Sequence, residues 1–516
     1  MSREDEMLKE RLKKLTELRK LKINPYPYSY DKKNNAAELQ SKYAKLKPEE
    51  KTKDKVSVAG RLTSVRLMGK INFAHLQDES GKIQIVIQED EIGKKETEFF
   101  SKFIDFGDIV GIKGTIFKTK RGELSILANE IELLTKSLLP LPEKWHGLQD
   151  KEERYRMRYV DLIMNPEIRK TFEIRTKIIN AIREFLNNKG FIEVETPLMQ
   201  PVYGGAEAKP FITHLNELDM NLYMSISPEL YLKRLVIGGF EKVYTICKNF
   251  RNEGIDKSHN PEFTMLECYQ AYADYNDMMK LFEEIYEYVM KKLGNGTEIE
   301  YQGQKLNFKK PWQKVPMLAG LKKLGIDTEK MSDKELLKKA KELNLDVNEK
   351  TPRGLVIAGI SEELIEPKLI QPSHMIDHTR ETTPLCKEKR ENPDLIERSE
   401  PFICGMEAGN IYSEMNDPLV QRKLFEDQAK ILKEKGVGHP YDKDFLNAIE
   451  YGMPPTGGLG LGIDRMVMIL TNSPSIRDVI FFPFMKPELP AEHKEKVIEK
   501  EEERLEKREK NHKKKK

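Results

Sequence analysis

The chain has 516 residues, with 88 Lys and Arg against 85 Asp and Glu for a net charge of +3, and is 38% hydrophobic and 34% charged. That length exceeds one domain and supplies an ordinary core, and the balanced charge excludes a bulk polycation while leaving local basic clusters open. Cys247, Cys268, Cys386 and Cys404 form no C-x-x-C pair, the N-terminus lacks an apolar leader, and no run of ~20 apolar residues occurs, which argues against zinc, a disulfide scaffold, secretion and a membrane span and fits a reducing compartment.

Residues 3–22 have the spacing of a charged amphipathic helix, with Leu8, Leu12, Leu15 and Leu18 on one side, and "INPYPYSY" breaks it. A Lys-rich stretch follows, so residues 1–50 read as a helical basic arm whose lysines face solvent or meet RNA phosphate. From 51 to 140 the pattern changes to short strands: "VSVAGRL", "INFAHLQD", "KIQIVIQ", "DIVGIKGTIFKT" and "ELSILANEIELL", with one helical connection, "EIGKKETEFFSKF". Five strands in that rhythm predict a Greek-key barrel of the OB type, which either binds single-stranded nucleic acid by stacking bases on aromatics or serves only as a scaffold. "LPLPEKWHGLQD" opens a proline-punctuated hinge over 141–160. Residues 161–487 alternate helices and strands, beginning with the long helix "TFEIRTKIINAIREFLNNKG", ended by Gly190, and the strand "FIEVETPLM", ended at Pro197. Residues 488–516 are almost wholly charged and read as a solvated helix or a disordered tail. The fold class is therefore α+β, with the barrel N-terminal to a larger mixed region.

Three stretches carry chemistry. In "NFRNEGIDKSHNPEFTMLECYQAYADY", residues 249–275, a strand through "FRNEG" puts Arg251 and Glu253 on one face before a turn at Gly254. A second strand, "EFTMLECY", alternates Phe263, Met265, Glu267 and Tyr269 with Thr264, Leu266 and Cys268. A carboxylate among apolar neighbours needs a cation or hydrogen bonds, so Glu267 belongs to a structural ion pair or to a site. In "FICGMEAGNIYSEMNDP", residues 402–418, Glu407 and Glu414 are seven apart and would face oppositely on one straight strand. A turn at Ala408-Gly409-Asn410 would join them, either as hard oxygen ligands for Mg²⁺ on a phosphate or as two exposed acids beside a hairpin. In "GGLGLGIDR", residues 457–465, no Gly-Lys-Ser/Thr follows as a P-loop requires, and Gly458, Gly460 and Gly462 recur at period two, unlike a dinucleotide fingerprint. That is strand spacing: one face is cleared, so that a flat ligand or a packed element lies close to the backbone.

With "GGAEAKPFITH" and "SPELYLKR" added to these stretches, the chain resembles the class II lysyl-tRNA synthetases of the Asp/Asn/Lys subgroup, from about residue 3 to Pro487. The long helix with "GFIEVETP" resembles motif 1 of that class, a dimer element; "FRNEG" through "HNPEF" and "AYADY" resembles motif 2; "GGLGLGIDR" resembles motif 3. The resemblance implies a class II catalytic domain built on an antiparallel sheet flanked by helices. It implies ATP-dependent activation of L-lysine to lysyl-adenylate, then transfer to the 3′-terminal ribose of tRNA(Lys), by a cytoplasmic homodimer. Arg251 and Arg465 are implied as catalytic, Arg251 on the α-phosphate and the lysine carboxylate, Arg465 at the γ-phosphate side. ATP-binding residues would be Glu253 at the adenine amino group, Phe263 stacked on the ring, His259 and Asn260 near the phosphates, and Glu407 and Gly462. Mg²⁺ with ATP would sit on Glu407 and Glu414. Lysine would be held by Gly205, Ala206, Glu229, Glu267, Tyr269 and Asn416, with Glu229 at the α-amino group and Glu267 and Tyr269 at the side-chain amine. In the barrel, Phe73, Gln84 and Glu130 would read the central anticodon uridine, and Arg61 and Arg66 would add backbone contacts. "IDHTRETTPLCKEKR" and the charged tail depart from the family pattern. Three alternatives have their own tests: an aspartate enzyme would need a cation in place of Glu267, and Glu267 with Tyr269 argues against an asparagine enzyme as well; an RNA-binding paralogue would lack Arg251, Arg465 or a metal glutamate; and relatives that modify protein lysines lack the barrel.

Overall fold

The computed structural model describes residues 3–142, 148, 150–434 and 442–487. The chain divides into two compact units, one of residues up to 149 and one of Asp150–Lys486. The charged tail and much of the "LPLPEKWHGLQD" segment lie outside the described residues.

In the first unit, β1 (Lys51–Arg66), β2 (Ile71–Gln77), β3 (Lys82–Gln88), β4 (Ile109–Lys118) and β5 (Leu124–Thr135) close into a barrel in the order β1-β2-β3-β5-β4. Alternation builds it: Ala74 and Leu76, Ile83 and Ile85, Val110 and Ile112 point into one core, while the residues between them face outward. The connecting helix Lys94–Phe103 adds Phe100 and Phe103 to that core. Helix Arg3–Lys20 buries Leu8, Leu15 and Leu18, as its spacing predicts. Its Arg11 is also buried and donates to the carbonyls of Phe106 (2.7 Å), Ser137 (3.0 Å) and Leu139 (3.1 Å). One cation of the arm is thus a fastener of the barrel.

The second unit begins earlier than the sequence reading placed it. Residues read as the end of a hinge form helices Lys151–Arg156 and Arg158–Met164, fixed by Arg158 and Arg154 on the buried Asp161 (2.8 Å each). Helix Arg169–Asn188 buries Phe172, Ile178, Ile182 and Leu186 and ends at Gly190, whose φ of 80° suits a left-handed cap. The strands are β6 (Ile192–Glu193), β7 (Met199–Gln200), β8 (Ile212–Leu215), β9 (Met220–Met224), β10 (Lys242–Phe250), β11 (Glu262–Ala271), β12 (Glu298–Tyr301), β13 (Gln304–Asn307), β14 (Gln313–Pro316), β15 (Ser373–Thr379), β16 (Glu388–Lys389), β17 (Asn392–Ile403), β18 (Met406–Glu407), β19 (Gly409–Ser413) and β20 (Thr456–Gly462). A ten-stranded, mostly antiparallel sheet runs β14-β15-β17-β19-β20-β11-β10-β6, with β16 and β18 paired to β17. Among the described residues the strand latest in sequence, β20, lies between β11 and β19 near the middle of the order.

Helix Tyr275–Lys292, capped by a reciprocal Asp274–Asp277 box, lies under this sheet and buries Met278, Phe282, Ile285, Tyr286 and Val289. Burying each such side chain stabilises by about 1.5–3 kcal/mol. Contact is close enough that a Cβ at Gly409 would meet Phe282 Cε2 at 2.6 Å. Between β14 and β15 the chain forms helices Met317–Lys323, Asp333–Glu342 and Arg353–Leu364 around a small core of their own, including Leu321, Leu336, Val356 and Ile360.

Candidate functional site

The glycine run forms the floor of a cavity of roughly 600 Å³ in the second unit. Gly458, Gly460 and Gly462 of β20 line it, while Leu459 and Leu461 turn into the core, as period-two spacing requires. Register places larger side chains on both sides of each glycine. One row across β11, β20 and β19 reads Tyr269–Gly458–Tyr412 and the next Glu267–Gly460–Asn410. The result is a trough along the glycine strand. Met265, Glu267 and Tyr269 line it, with Leu266 and Cys268 in the core behind.

One end of the trough is rich in buried acid. Glu229, Glu267 and Glu414 are 5%, 4% and 1% exposed. Glu267 accepts hydrogen bonds from Ser227 Oγ (2.8 Å) and Tyr269 Oη (3.1 Å). Burial first, then the charge of Glu229, pushes its pKa up to about 8, against the pull of those hydroxyls and Arg251. Glu229 sits at the start of helix Glu229–Ile237, and Lys233, one turn later, pairs with it at 2.6 Å and with Glu414 at 2.5 Å. Burial opposes the Lys233 ammonium, but the two carboxylates outweigh it and raise its pKa. Gly205 and Ala206 line the same end, and the φ of 86° at Gly205 brings its backbone against Ser227. Asn416 does not line the cavity; its side chain donates to the carbonyl of Met453 (2.9 Å).

The other end carries cations and an aromatic ring. β10 stops at Phe250, so Arg251 and Glu253 stand on the following loop, not on the strand expected, and both line the cavity. The Arg251 guanidinium lies 5.1 Å from the centre of the Phe263 ring. His259 bonds Asp256 (2.8 Å) and meets Arg465 Nη2 at 3.3 Å. Arg465 also donates to the carbonyl of Glu407. Asn260 lines the wall with its amide already donated to the carbonyl of Glu262 (2.6 Å) and accepting from Phe484 N (3.2 Å). Asp464, which the sequence reading passed over, fixes this corner through Arg175 (2.6 Å) and the backbone N–H of Thr264 (2.7 Å).

The expected carboxylate pair is not formed. The turn falls at Cys404 and Gly405, both with positive φ, and not at Ala408-Gly409-Asn410. From Glu407 the chain runs extended beside β20 to Glu414, so the two acids stand at opposite ends, on the order of 20 Å apart along the strand. Gly409 is there because the Gly460 carbonyl of β20 and the Phe282 ring leave no room for a side chain, not because the chain turns. Glu407 instead shares its end of the cavity with Glu400, Glu366 and Arg398, none of which the sequence reading singled out. Burial, then Glu400, pushes Glu366 up to about 8. The signal for Arg398 and Glu400 was their i,i+2 spacing in "ERSEPF"; for Glu366, on a short 3₁₀ turn, no periodic signal existed.

On the barrel, Phe73 and His75 of β2 and Gln84 of β3 share the outer face, since their neighbours Ala74, Leu76, Ile83 and Ile85 fill the core. Gln84 donates to Glu123 (2.7 Å) and accepts from Ser125 (2.8 Å); His75 bridges Glu123 (2.8 Å) and Ser64 (2.7 Å). Glu130 is outside this group: it pairs with Lys113 (2.9 Å), five residues along β5 from the partner of Gln84 and so about 16 Å away. A bulge leaves Asn129 unpaired and breaks the parity on which counting along β5 relies. Glu123 occupies the place expected of Glu130. Arg61 is committed to the carbonyl of Gly107 (2.7 Å), and Arg66 stands opposite Phe73.

The family model for tRNA synthetases class II (D, K and N) matches residues 150–486, and that for the OB-fold nucleic acid binding domain matches residues 56–134. The chain is 51% identical over 486 residues to the lysine–tRNA ligase of Carboxydothermus hydrogenoformans, covering 94% of this chain and 98% of that protein. It is 50% identical over 488 residues to the enzyme of the same name from Pelotomaculum thermopropionicum (94% and 95% covered) and 49% identical over 486 residues to that of Thermotoga maritima (93% and 96%).

Proposed function

The chain belongs to the class II tRNA synthetases of the Asp, Lys and Asn group, and from that premise we propose how it works as a lysine–tRNA ligase. The observation that carries the reading is one trough with three buried carboxyl groups at one end and Arg251, Arg465 and an aromatic face at the other. A small molecule with two ammonium groups fits the first end, and a nucleotide polyphosphate fits the second.

Lysine lies with its side-chain ammonium on Glu267 and Tyr269, its α-ammonium on Glu229 beside Gly205 and Ala206, and its carboxylate toward Arg251. ATP stacks its ring on Phe263, presents its amino group to Glu253 and its phosphates to Arg251, His259 and Arg465 over Gly462. A lysine carboxylate oxygen attacks the α-phosphorus, the bond to the bridging oxygen breaks, and pyrophosphate leaves. The terminal ribose hydroxyl of tRNA then attacks the activated carbonyl, the acyl–phosphate bond breaks, AMP leaves with the electron pair, and the hydroxyl proton passes to a phosphate oxygen or to solvent. No protein nucleophile is required; orientation and charge neutralisation supply the acceleration. Bound with ATP, Mg²⁺ would supply neutralisation of phosphate charge at this end of the trough. Glu407 is the hard-oxygen donor suited to it. Glu414 does not fit as its partner, given the separation and the bond to Lys233.

The barrel face of Phe73, Gln84 and Glu123 binds the anticodon by stacking and hydrogen bonding. The segment after the long helix exposes Ile192, Leu198, Met199 and Ile212, a surface suited to a second copy of the chain in a homodimer. All four cysteines are unpaired, in keeping with a cytoplasmic enzyme.

ATP–pyrophosphate exchange, run with each amino acid separately, tests the reading. Exchange should occur with lysine alone and fall by on the order of 10³ in Glu267→Gln, because a buried ammonium then lacks its counter-charge. Exchange with aspartate or asparagine would sink the substrate assignment. So would no exchange at all from folded protein with Mg²⁺.

A further inference from the structure

The acidic end of the trough holds a cation that the substrate does not supply. Lys233 is wholly buried and is absent from the cavity wall, while Glu229 and Glu414, which it bridges, both line that wall. An ammonium has three N–H donors and accepts nothing, so one group holds both carboxylates at once. Its Nζ donates to Glu229 Oε1 (2.6 Å) and forms an ion pair with Glu414 Oε2 (2.5 Å), so the second oxygen of each carboxyl group is not engaged by it. Glu414 Oε1 does face the trough: a Cβ at Gly458 would lie 1.9 Å from it. Glu267, the third acid, is held by two hydroxyls. With all three carboxyl groups ionised, as a bound cation would favour, this end of the trough sets them against one buried ammonium of its own, with Arg251 further along the wall. A diammonium ligand brings two more cations.

We propose that Lys233 is a specificity-determining positioning residue: by bridging Glu229 and Glu414 from behind the wall, it aims one oxygen of each into the trough and sets the pocket to accept a ligand with two ammonium groups. This rests on the assignment of the trough to lysine. Without the Lys233 ammonium, two buried carboxyl groups would face each other unpaired, and a proton or solvent cation would compete with the ligand. Lys233 touches neither substrate nor ATP, so its removal acts on lysine through Glu229 and Glu414.

The test is exchange kinetics on Lys233→Met, which keeps volume and removes charge. The KM for lysine should rise about 100-fold while that for ATP stays within about threefold. In Lys233→Met/Glu414→Gln, one cation and one anion are removed together; at least about tenfold of the lost kcat/KM should return, a recovery that simple additivity forbids. Should the single variant not fold, the double variant is measured alone, and a lysine KM within about tenfold of wild type supports the proposal. As a third arm, Lys233→Ala should regain exchange on adding propylammonium but not propanol. A lysine KM unmoved by Lys233→Met, additive losses in the double variant, a double variant measured alone whose lysine KM lies outside that range, or equal rescue by propanol would each overturn it. Wild-type protein that fails to exchange with lysine would instead remove the underlying assignment.

Discussion

Glu267 combines two demands that usually exclude each other, burial and a charged role. With the carboxyl raised to about 8, mainly by burial and next by Glu229, it holds a proton at neutral pH until an ammonium arrives. On the proposed assignment of the lysine side chain to Glu267, binding would expel that proton. Lysine affinity should therefore rise with pH between about 6 and 8, by up to about tenfold per unit, and level off above it, while ATP affinity stays flat. Titration calorimetry in buffers of different ionisation enthalpy would count the released proton; a pH-independent lysine affinity would refute the account. The same group leaves a mark on stability. Its folded value lies above the ordinary carboxyl value, so its contribution to the unliganded fold is full at low pH and fades as pH rises toward 8. Saturating lysine should remove that slope from a thermal-melting series.

At the scale of elements, β20 shows what a sequence pattern carries and what it omits. Period-two glycines were enough to identify a strand with one bare face, and β11 alternates as its residues dictate, because both follow from local geometry. The turn in residues 402–418 was misplaced because Gly409 serves a long-range close approach of the Gly460 carbonyl and Phe282, which no neighbour in sequence reveals. Helix Arg353–Leu364, which lends Leu355 and Glu362 to the cavity wall, was equally hidden, since which wall a helix reaches depends on the whole sheet. The glycines of β20 should also differ among themselves. At Gly458 a methyl group would lie 1.9 Å from Glu414 Oε1 and 2.6 Å from Tyr269, whereas at Gly460 the nearest atom is the mobile Met265 Cε at 3.2 Å. Gly458→Ala should lower kcat/KM for lysine about 100-fold and Gly460→Ala less than about tenfold, with both variants folded. Equal effects would contradict the trough geometry.

At the scale of the whole molecule, the proposed function predicts that the barrel engages the anticodon while the second unit carries out the activation step. Gln84→Ala or Glu123→Gln in the barrel should raise the KM for tRNA by about tenfold or more and leave lysine-dependent pyrophosphate exchange untouched, whereas Glu130→Gln should change neither. Aminoacylation assays beside exchange assays would separate the two, and an exchange defect in a barrel variant would contradict the division. Strand order carries one more consequence, for biosynthesis. Among the described residues, β20 is the last strand made, yet it fills the gap between β11 and β19. As the nascent chain leaves the ribosome, β11 waits about 185 residues of synthesis after Ala271, and β19 about 43 after Ser413, before the strand that pairs with their facing edges begins. The trough thus comes into being with the insertion of Thr456–Gly462, and a chain cut short between Ser413 and Thr456 carries two open edges that invite association with other chains.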